Sequence, residues 1–168
     1  MGAQLQTPVR GRLANVSAVV FAAGGTREEA GREAARLLGT LFEEVSWVGP
    51  GDPLEGTRRI ATADDAAELS RLHAALTAAN EDRVLVWDPV IQASPPLLLG
   101  LCAWPEHAVV TPRIEGVEQP LCAVYLRSKA LETAADLIAR GEVDAAALVR
   151  ELSSGVIEGD DLAPLLAR

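Results

Sequence analysis

Apolar and polar positions alternate along the chain between strand-like runs and helix-like periods. Residues 16–23 (VSAVVFAA) are an almost unbroken apolar run between Asn15 and Gly24. That is the pattern of a strand buried on both faces. Thr26 followed by Glu29 reads as a capping box, and Ala30, Ala34, Leu37, Leu38 and Leu41 then recur at helical spacing. "EEVSWVG" predicts a second short strand, "PGDPLEG" a loop, and residues 58–62 a third strand. Asp64 or Asp65 can cap a helix running to about Asn80, with Ala67, Leu69, Leu72, Ala75, Leu76 and Ala79 on its apolar face.

Further along, "RVLVWDP" predicts a strand that stops at a proline, which cannot donate to a ladder. "SPPLLLGLCAW" reads as a short helix with proline in its first turn, and "HAVVTPRI" as a strand. After the turn-like "EGVEQP", residues 121–126 form a short apolar run. Residues 128–140, 144–152 and 160–166 read as helices, and 155–157 as a small strand. Strands alternating with helices imply βαβ crossovers, hence an α/β fold with a mostly parallel sheet covered on both faces, a three-layer αβα arrangement.

Composition sharpens this picture. With 168 residues, 49% of them hydrophobic, the chain can bury one sizeable core. The reading is a flexible N-terminal arm over residues 1–14 and a single domain over 15–168. A net charge of -9 and a pI near 4.7 argue against nucleic acid or an anionic membrane as the partner, since either favours a basic face. Cys102 and Cys122 lie in apolar surroundings without metal-ligand spacing, as small core residues in a reducing, cytoplasmic compartment do. The apolar run at 97–104 follows two prolines and is far short of spanning length. The opening "MGAQLQTPVRGRLAN" has no apolar h-region, and Gln6 stands where a myristoylation motif after Gly2 needs Ser or Thr. No repeat and no low-complexity segment is present.

In an open α/β sheet, chemistry sits just beyond the carboxyl ends of the strands. Three positions qualify. The first is the turn Gly24-Gly25-Thr26, where glycines admit close approach and helix N-terminal amides face an anion; the bland alternative is a tight strand-to-helix connection. The second is the pair Asp64-Asp65, able to add a second carboxylate to a metal ion or simply to favour a helix start. The third is Asp88, a carboxylate at a strand end that can carry a magnesium ion against a triphosphate, or else merely open an Asp-Pro turn. His73 and His107 have no Ser or Cys beside them in a nucleophile motif, and no GxSxG is present, so both read as structural. Trp47, Trp87 and Trp104 fall at element ends, where a ring can wall a cleft or pack in the core.

With these residues in view, the chain resembles the molybdenum cofactor guanylyltransferases and the wider MobA-like NTP transferases, with their Rossmann-like nucleotidyltransferase fold. "VVFAAGGT" is similar to the family's opening strand and glycine turn, and "LFEEVSWVG" to the strand after its first helix. "DDAAELSRLHAAL" is similar to its glycine-proline-leucine turn and alanine-rich helix, and "RVLVWDP" to the strand ending in the magnesium-binding aspartate. "EGVEQPLCAVYLRSKALETAADLIARGE" resembles the acceptor-side strand-helix unit, and "GVIEGDDLAPL" the closing segment.

The resemblance implies that Asp88 is the catalytic, metal-holding carboxylate, joined by Asp65. It implies too that Ala23, Gly24, Gly25, Thr26 and Arg27 line the phosphates of GTP. The family reaction is attack by a substrate phosphate on the nucleotide α-phosphate, with release of pyrophosphate. Two departures stand out. The family's arginine-methionine-glycine and aspartate-lysine signature is missing after the turn, and the sole lysine, Lys129, belongs to the acceptor-side helix. Arg27 or Arg32 offers charge, but an arginine fork is not an equivalent point charge. The glycine-proline-leucine turn has become Ala67-Glu68-Leu69, which sets a carboxylate where an anionic substrate passes.

The resulting expectation is a MobA-like protein of molybdenum cofactor biosynthesis with reduced or lost catalysis. Its partners would be nucleotide and molybdopterin, or a protein of the maturation pathway. The alternatives are an active guanylyltransferase using Asp88-bound magnesium and a non-catalytic α/β module that binds a protein.

Overall fold

The computed structural model describes residues 12–22 and 28–166. Fourteen elements follow one another: β1 (Leu13–Phe21), α1 (Glu28–Leu41), β2 (Phe42–Val48), β3 (Arg58–Ile60), α2 (Glu68–Ala78), β4 (Arg83–Trp87), α3 (Pro95–Cys102), β5 (Val109–Ile114), β6 (Val117–Glu118), β7 (Cys122–Leu126), α4 (Arg127–Ala139), α5 (Ala145–Glu151), β8 (Ser154–Ile157) and α6 (Gly159–Leu166). The strands form one sheet in the order β3-β2-β1-β4-β7-β5-β6, with β8 also on β5.

The unbroken apolar run of β1 has a direct cause. Successive side chains of a strand point to opposite faces, and here both faces are covered. Val16, Ala18 and Val20 pack with α1, α3 and α6, whereas Val19 and Phe21 pack with α2, α4 and α5. β4 repeats the division, with Leu85 and Trp87 on the first side and Val84 and Val86 on the second. Two hydrophobic cores flanking one sheet make the three layers. Trp47, at the end of β2, is fully buried beneath α1. A Cβ on Gly31 would stand 2.7 Å from the Trp47 ring, so the glycine lets helix and sheet approach.

The mostly parallel sheet is found in part, and three further features refine the sequence expectation. The sheet is mixed: β1–β2, β1–β4, β2–β3 and β5–β8 are parallel, but β7 lies antiparallel between β4 and β5, and β6 is antiparallel to β5. The chain between Ile114 and Cys122 is too short for a helical crossover, which needs a dozen or more residues, so it can only turn back. It does so through Glu115 and Gly116, both with positive φ (51° and 79°), the conformation of a two-residue hairpin turn. Next, α2 starts at Glu68 and not at Asp64 or Asp65; those two lie in a turn closed by Ala66 N–H on the Ala63 carbonyl (3.1 Å), and the N-cap Ala67 has no side-chain bond. The start is tied to the connection between α4 and α5, because Leu69 N–H donates to the Val143 carbonyl at 2.9 Å. β1 begins at Leu13, inside the span read as an arm, while residues 1–11 lie outside the described ones, as does the Thr26 of the capping box. Finally, Trp87 is buried like Trp47, and only Trp104 keeps an exposed face, at 45%.

Candidate functional site

The carboxyl ends of β1 and β4 run out side by side, since Val20 pairs with Trp87. From the β1 end the chain enters residues 23–27. Ala23, Gly24, Gly25, Thr26 and Arg27, the residues assigned to the phosphates, all lie outside the described residues. The described residues that flank this segment are the ends of β1 and β2. Ala22 N–H donates to the Val48 carbonyl at 2.8 Å. Gly49, at φ 108°, lies so close that a Cβ there would stand 2.1 Å from the Ala22 carbonyl oxygen. The glycine directly after the strand in "WVGPG" is the sequence signal for this close approach.

Asp88 follows β4 immediately. Its N–H donates to the Leu121 carbonyl (2.7 Å), and its own carbonyl accepts from Ile91 N–H (3.3 Å) and from the Cys122 thiol (3.4 Å). Its carboxylate Oδ1 accepts from Val90 N–H at 3.0 Å, closing an Asx turn across Pro89. Trp87 Nε1 fixes the far side of the same loop on the Ile91 carbonyl (3.0 Å). The backbone therefore holds Asp88 at the sheet end with one carboxylate oxygen already engaged in the turn.

Asp65 does not share that place. It is exposed, in the turn after β3, and β2 and β1 intervene between β3 and β4. The strand ends that carry Asp65 and Asp88 are thus three spacings apart, about 14 Å. Among the described residues no group of three or more His, Cys, Asp or Glu is arranged to hold a metal.

Of the two arginines considered for the phosphates, Arg27 lies outside the described residues. Arg32 is spent on Glu28 (2.5 Å), on Glu29 (3.5 Å) and on the Asp52 carbonyl (3.2 Å), and so ties α1 to the loop after β2. Lys129 stands at the opposite end of the sheet. β7 runs against β4, so its last residue, Leu126, pairs with Arg83 at the start of β4, and Arg127 N–H reaches the Asp82 carbonyl at 2.8 Å. Lys129 follows within the first turn of α4.

Glu68 corrects another expectation. Its carboxylate Oε1 accepts from Ala145 N–H at 2.9 Å, so it caps α5 and does not guard a substrate path. The remaining candidates make contacts within the fold. Burial pushes the Cys102 thiol up to about 11 and the Cys122 thiol up to about 12, which leaves both protonated and unsuited to metal or nucleophile chemistry. His73 sits on α2 with its carbonyl bonded by Thr77 Oγ1 (2.8 Å), and His107 packs against Trp104 with ring centres 6.2 Å apart.

No protein-family model matches the chain, and no curated protein matches it at a significant level. Solved structures do. A protein from Aquifex aeolicus superimposes with a TM-score of 0.73 at 18% identity, over 92% of each chain. Molybdopterin-guanine dinucleotide biosynthesis protein A from Archaeoglobus fulgidus gives 0.66 at 14%, over 88% of this chain and 86% of that one. The 2-C-methyl-D-erythritol 4-phosphate cytidylyltransferase from Thermus thermophilus gives 0.65 at 20%, over 89% and 91%. The chain has a nucleotidyltransferase-like α/β fold. No helix among the described residues is long and apolar enough to cross a membrane.

Proposed function

We propose that the chain binds a nucleoside triphosphate, GTP, at the carboxyl ends of β1 and β4 with magnesium at Asp88, that nucleotidyl transfer is reduced or lost, and that the protein serves molybdenum cofactor maturation. The observation that carries the site is the pairing of Val20 with Trp87, which sets Asp88 beside the strand end leading to Gly24 and Gly25. A magnesium ion fits the donor chemistry there, because this cation is commonly held by one or two carboxylates with substrate phosphates and water as its other ligands. Asp88 is that carboxylate; Asp65 joins it only if the turn after β3 moves inward. Bound there, the ion would neutralise charge on the triphosphate. The amides of residues 24–26 would bind the phosphates, and the turn across Pro89 orients the Asp88 carboxylate. The support for reduced transfer is charge. Lys129 is at the far end of the sheet, Arg32 is held by two glutamates, and phosphoryl chemistry rests on positioned cations. Resemblance to a guanylyltransferase and the likeness to the Archaeoglobus protein support the pathway assignment.

A specific observation favours a second reading, in which Asp88 is only a turn residue: its bond to Val90 N–H needs no metal. Calorimetric titration of GTP with magnesium separates the two. The expected result is weak binding, of about millimolar order, lost in Asp88→Asn. Binding unchanged by the substitution retires the site, and micromolar binding with turnover restores the active guanylyltransferase.

A further inference from the structure

The longest stretch of the chain without a charged residue runs between Asp88 and Glu106, although Asp, Glu, Lys and Arg make up 23% of the whole. α3 lies at its centre. Leu97, Leu98 and Leu101 bury one side of that helix in the core, yet the opposite side is apolar too. Pro95, Pro96, Leu99 and Ala103 are exposed there, at the three- and four-residue spacing that sets side chains on one helix face. Trp104 follows directly, exposed at 45%, with its ring tilted against His107. The end of α6 flanks the same helix, since Leu165 packs over Gly100 and its carbonyl accepts from Ser94 Oγ at 2.9 Å. The next residue, Leu166, is exposed as well.

A surface helix ordinarily turns polar residues to water, and a contiguous exposed apolar patch marks an interaction site. Its chemistry restricts the occupant. The stretch has no Lys or Arg to hold an anionic lipid headgroup and no carboxylate to attract a basic partner, so an uncharged apolar protein surface fits it. A second copy of the chain supplies such a surface, and the order of residues makes it self-complementary. Leu99 stands about midway between the pair Pro95-Pro96 and Trp104. A two-fold axis at Leu99 therefore lays two α3 helices antiparallel, with Leu99 against Leu99 and each Trp104 on the proline pair of the other copy. Aromatic side chains are a recurrent docking surface for prolines, and a two-fold interface makes each such contact twice.

We infer that the chain forms a homodimer through the exposed face of α3, about a two-fold axis at Leu99, with Trp104 as the anchor at either end. Tryptophan is the residue type that most often carries interface energy. The contact is one short helix long, less than the roughly 800 Å² per partner of a standard interface, which sets the dissociation constant on the order of tens of micromolar. With a net charge of -9 on each copy, salt screens the mutual repulsion and tightens the dimer, where an interface built on ion pairs would loosen. The inference does not rest on the nucleotide reading, because neither Asp88 nor residues 23–27 take part.

The test is sedimentation velocity over a concentration series that spans the micromolar range, at low and high sodium chloride. The expected result is a reversible monomer–dimer equilibrium that tightens with salt. Leu99→Glu and Leu99→Lys, each placing like charges opposite one another at the axis, weaken it at least about tenfold. Trp104→Ala weakens it several-fold. Both Leu99 substitutions fall on an exposed position, and unchanged thermal melts show that the fold is kept. Mixing Leu99→Glu with Leu99→Lys restores the dimer, which only a contact of Leu99 with its own copy predicts. A monomer at every concentration overturns the inference and leaves the face to a different protein. A dimer indifferent to both Leu99 substitutions, or a mixture of the two that stays monomeric, overturns it equally.

Discussion

Glu68, the first residue of α2, accepts through Oε1 a hydrogen bond at 2.9 Å from the backbone N–H of Ala145, the first residue of α5. The N-terminal amides of a helix lack intrahelical partners, and the N-cap of α5, Asp144, makes no side-chain bond to them. One helix thus caps another, and a carboxylate there also meets the positive end of the α5 dipole. Glu68→Ala should therefore cost about 1 kcal/mol, the usual worth of a cap. That is roughly 2–4 °C in melting temperature for a domain of this size. Glu68→Gln should keep the bond and most of the stability. Thermal melts of the three proteins check this, and equal melting of Glu68→Ala and wild type would show that the cap contributes nothing.

Gly49 and Gly56 form a matched pair for the cost of close approach. Both have positive φ, 108° and 85°, so an alanine at either is strained. At Gly56 nothing lies within 4 Å of an added Cβ, whereas at Gly49 the Ala22 carbonyl oxygen lies at 2.1 Å. Gly56→Ala should cost about 1–2 kcal/mol, the penalty of the left-handed backbone alone. Gly49→Ala should cost about 3 kcal/mol or more, because backbone must move as well. Urea denaturation measures the difference, and equal costs would mean that the ends of β1 and β2 yield easily.

Burial raises the Cys102 thiol from 9.0 to about 11 and the Cys122 thiol from 9.0 to about 12. Both prefer the protonated form in the folded protein, so the unfolded chain binds fewer protons above its own pKa. Their contribution to stability is complete below pH 9 and is lost as the pH rises through about 11 and 12. Tyr125, fully buried with its hydroxyl on the Pro120 carbonyl at 2.5 Å, is shifted upward by the same desolvation and acts in the same direction. Two results are expected. Stability should fall steeply in alkali, and iodoacetamide should leave the buried Cys122 thiol unmodified at neutral pH until urea unfolds the chain. Rapid alkylation of Cys122 in the native protein at neutral pH would contradict its burial.

Where the sequence pattern matched the structure, the reason is local or is burial on both faces. β1 and β4 show as apolar runs because each side chain meets a helix layer whichever way it points. α3 shows its start because Ser94 accepts from Leu97 N–H (3.4 Å) just ahead of its prolines. The start of α2 was hidden because it depends on Val143 and Ala145, far along the chain. Asp88 was legible as a candidate since it ends a strand, and its bond to Val90 N–H is the turn that Asp-Pro announces.

A three-way comparison at Asp88 separates turn from metal. Asn keeps a side-chain oxygen that can accept from Val90 N–H, while Ala removes it, so the pair isolates the Asx turn, and Asp against Asn isolates the charge. Asp88→Ala should lose about 1 kcal/mol with that bond, and Asp88→Asn should stay within about half of that. Binding should follow a different order. Magnesium raises the affinity for GTP only if a carboxylate holds it, so the magnesium-dependent part of binding should vanish equally in Asn and Ala although their stabilities differ. Lys129→Gln, at the opposite end of the sheet, should change neither quantity. Titrations of GTP with and without magnesium, set beside thermal melts of all four proteins, give the two orders independently. If binding tracks stability across Asp, Asn and Ala, Asp88 acts only through its turn; if binding tracks charge alone, the strand end of β4 holds the metal.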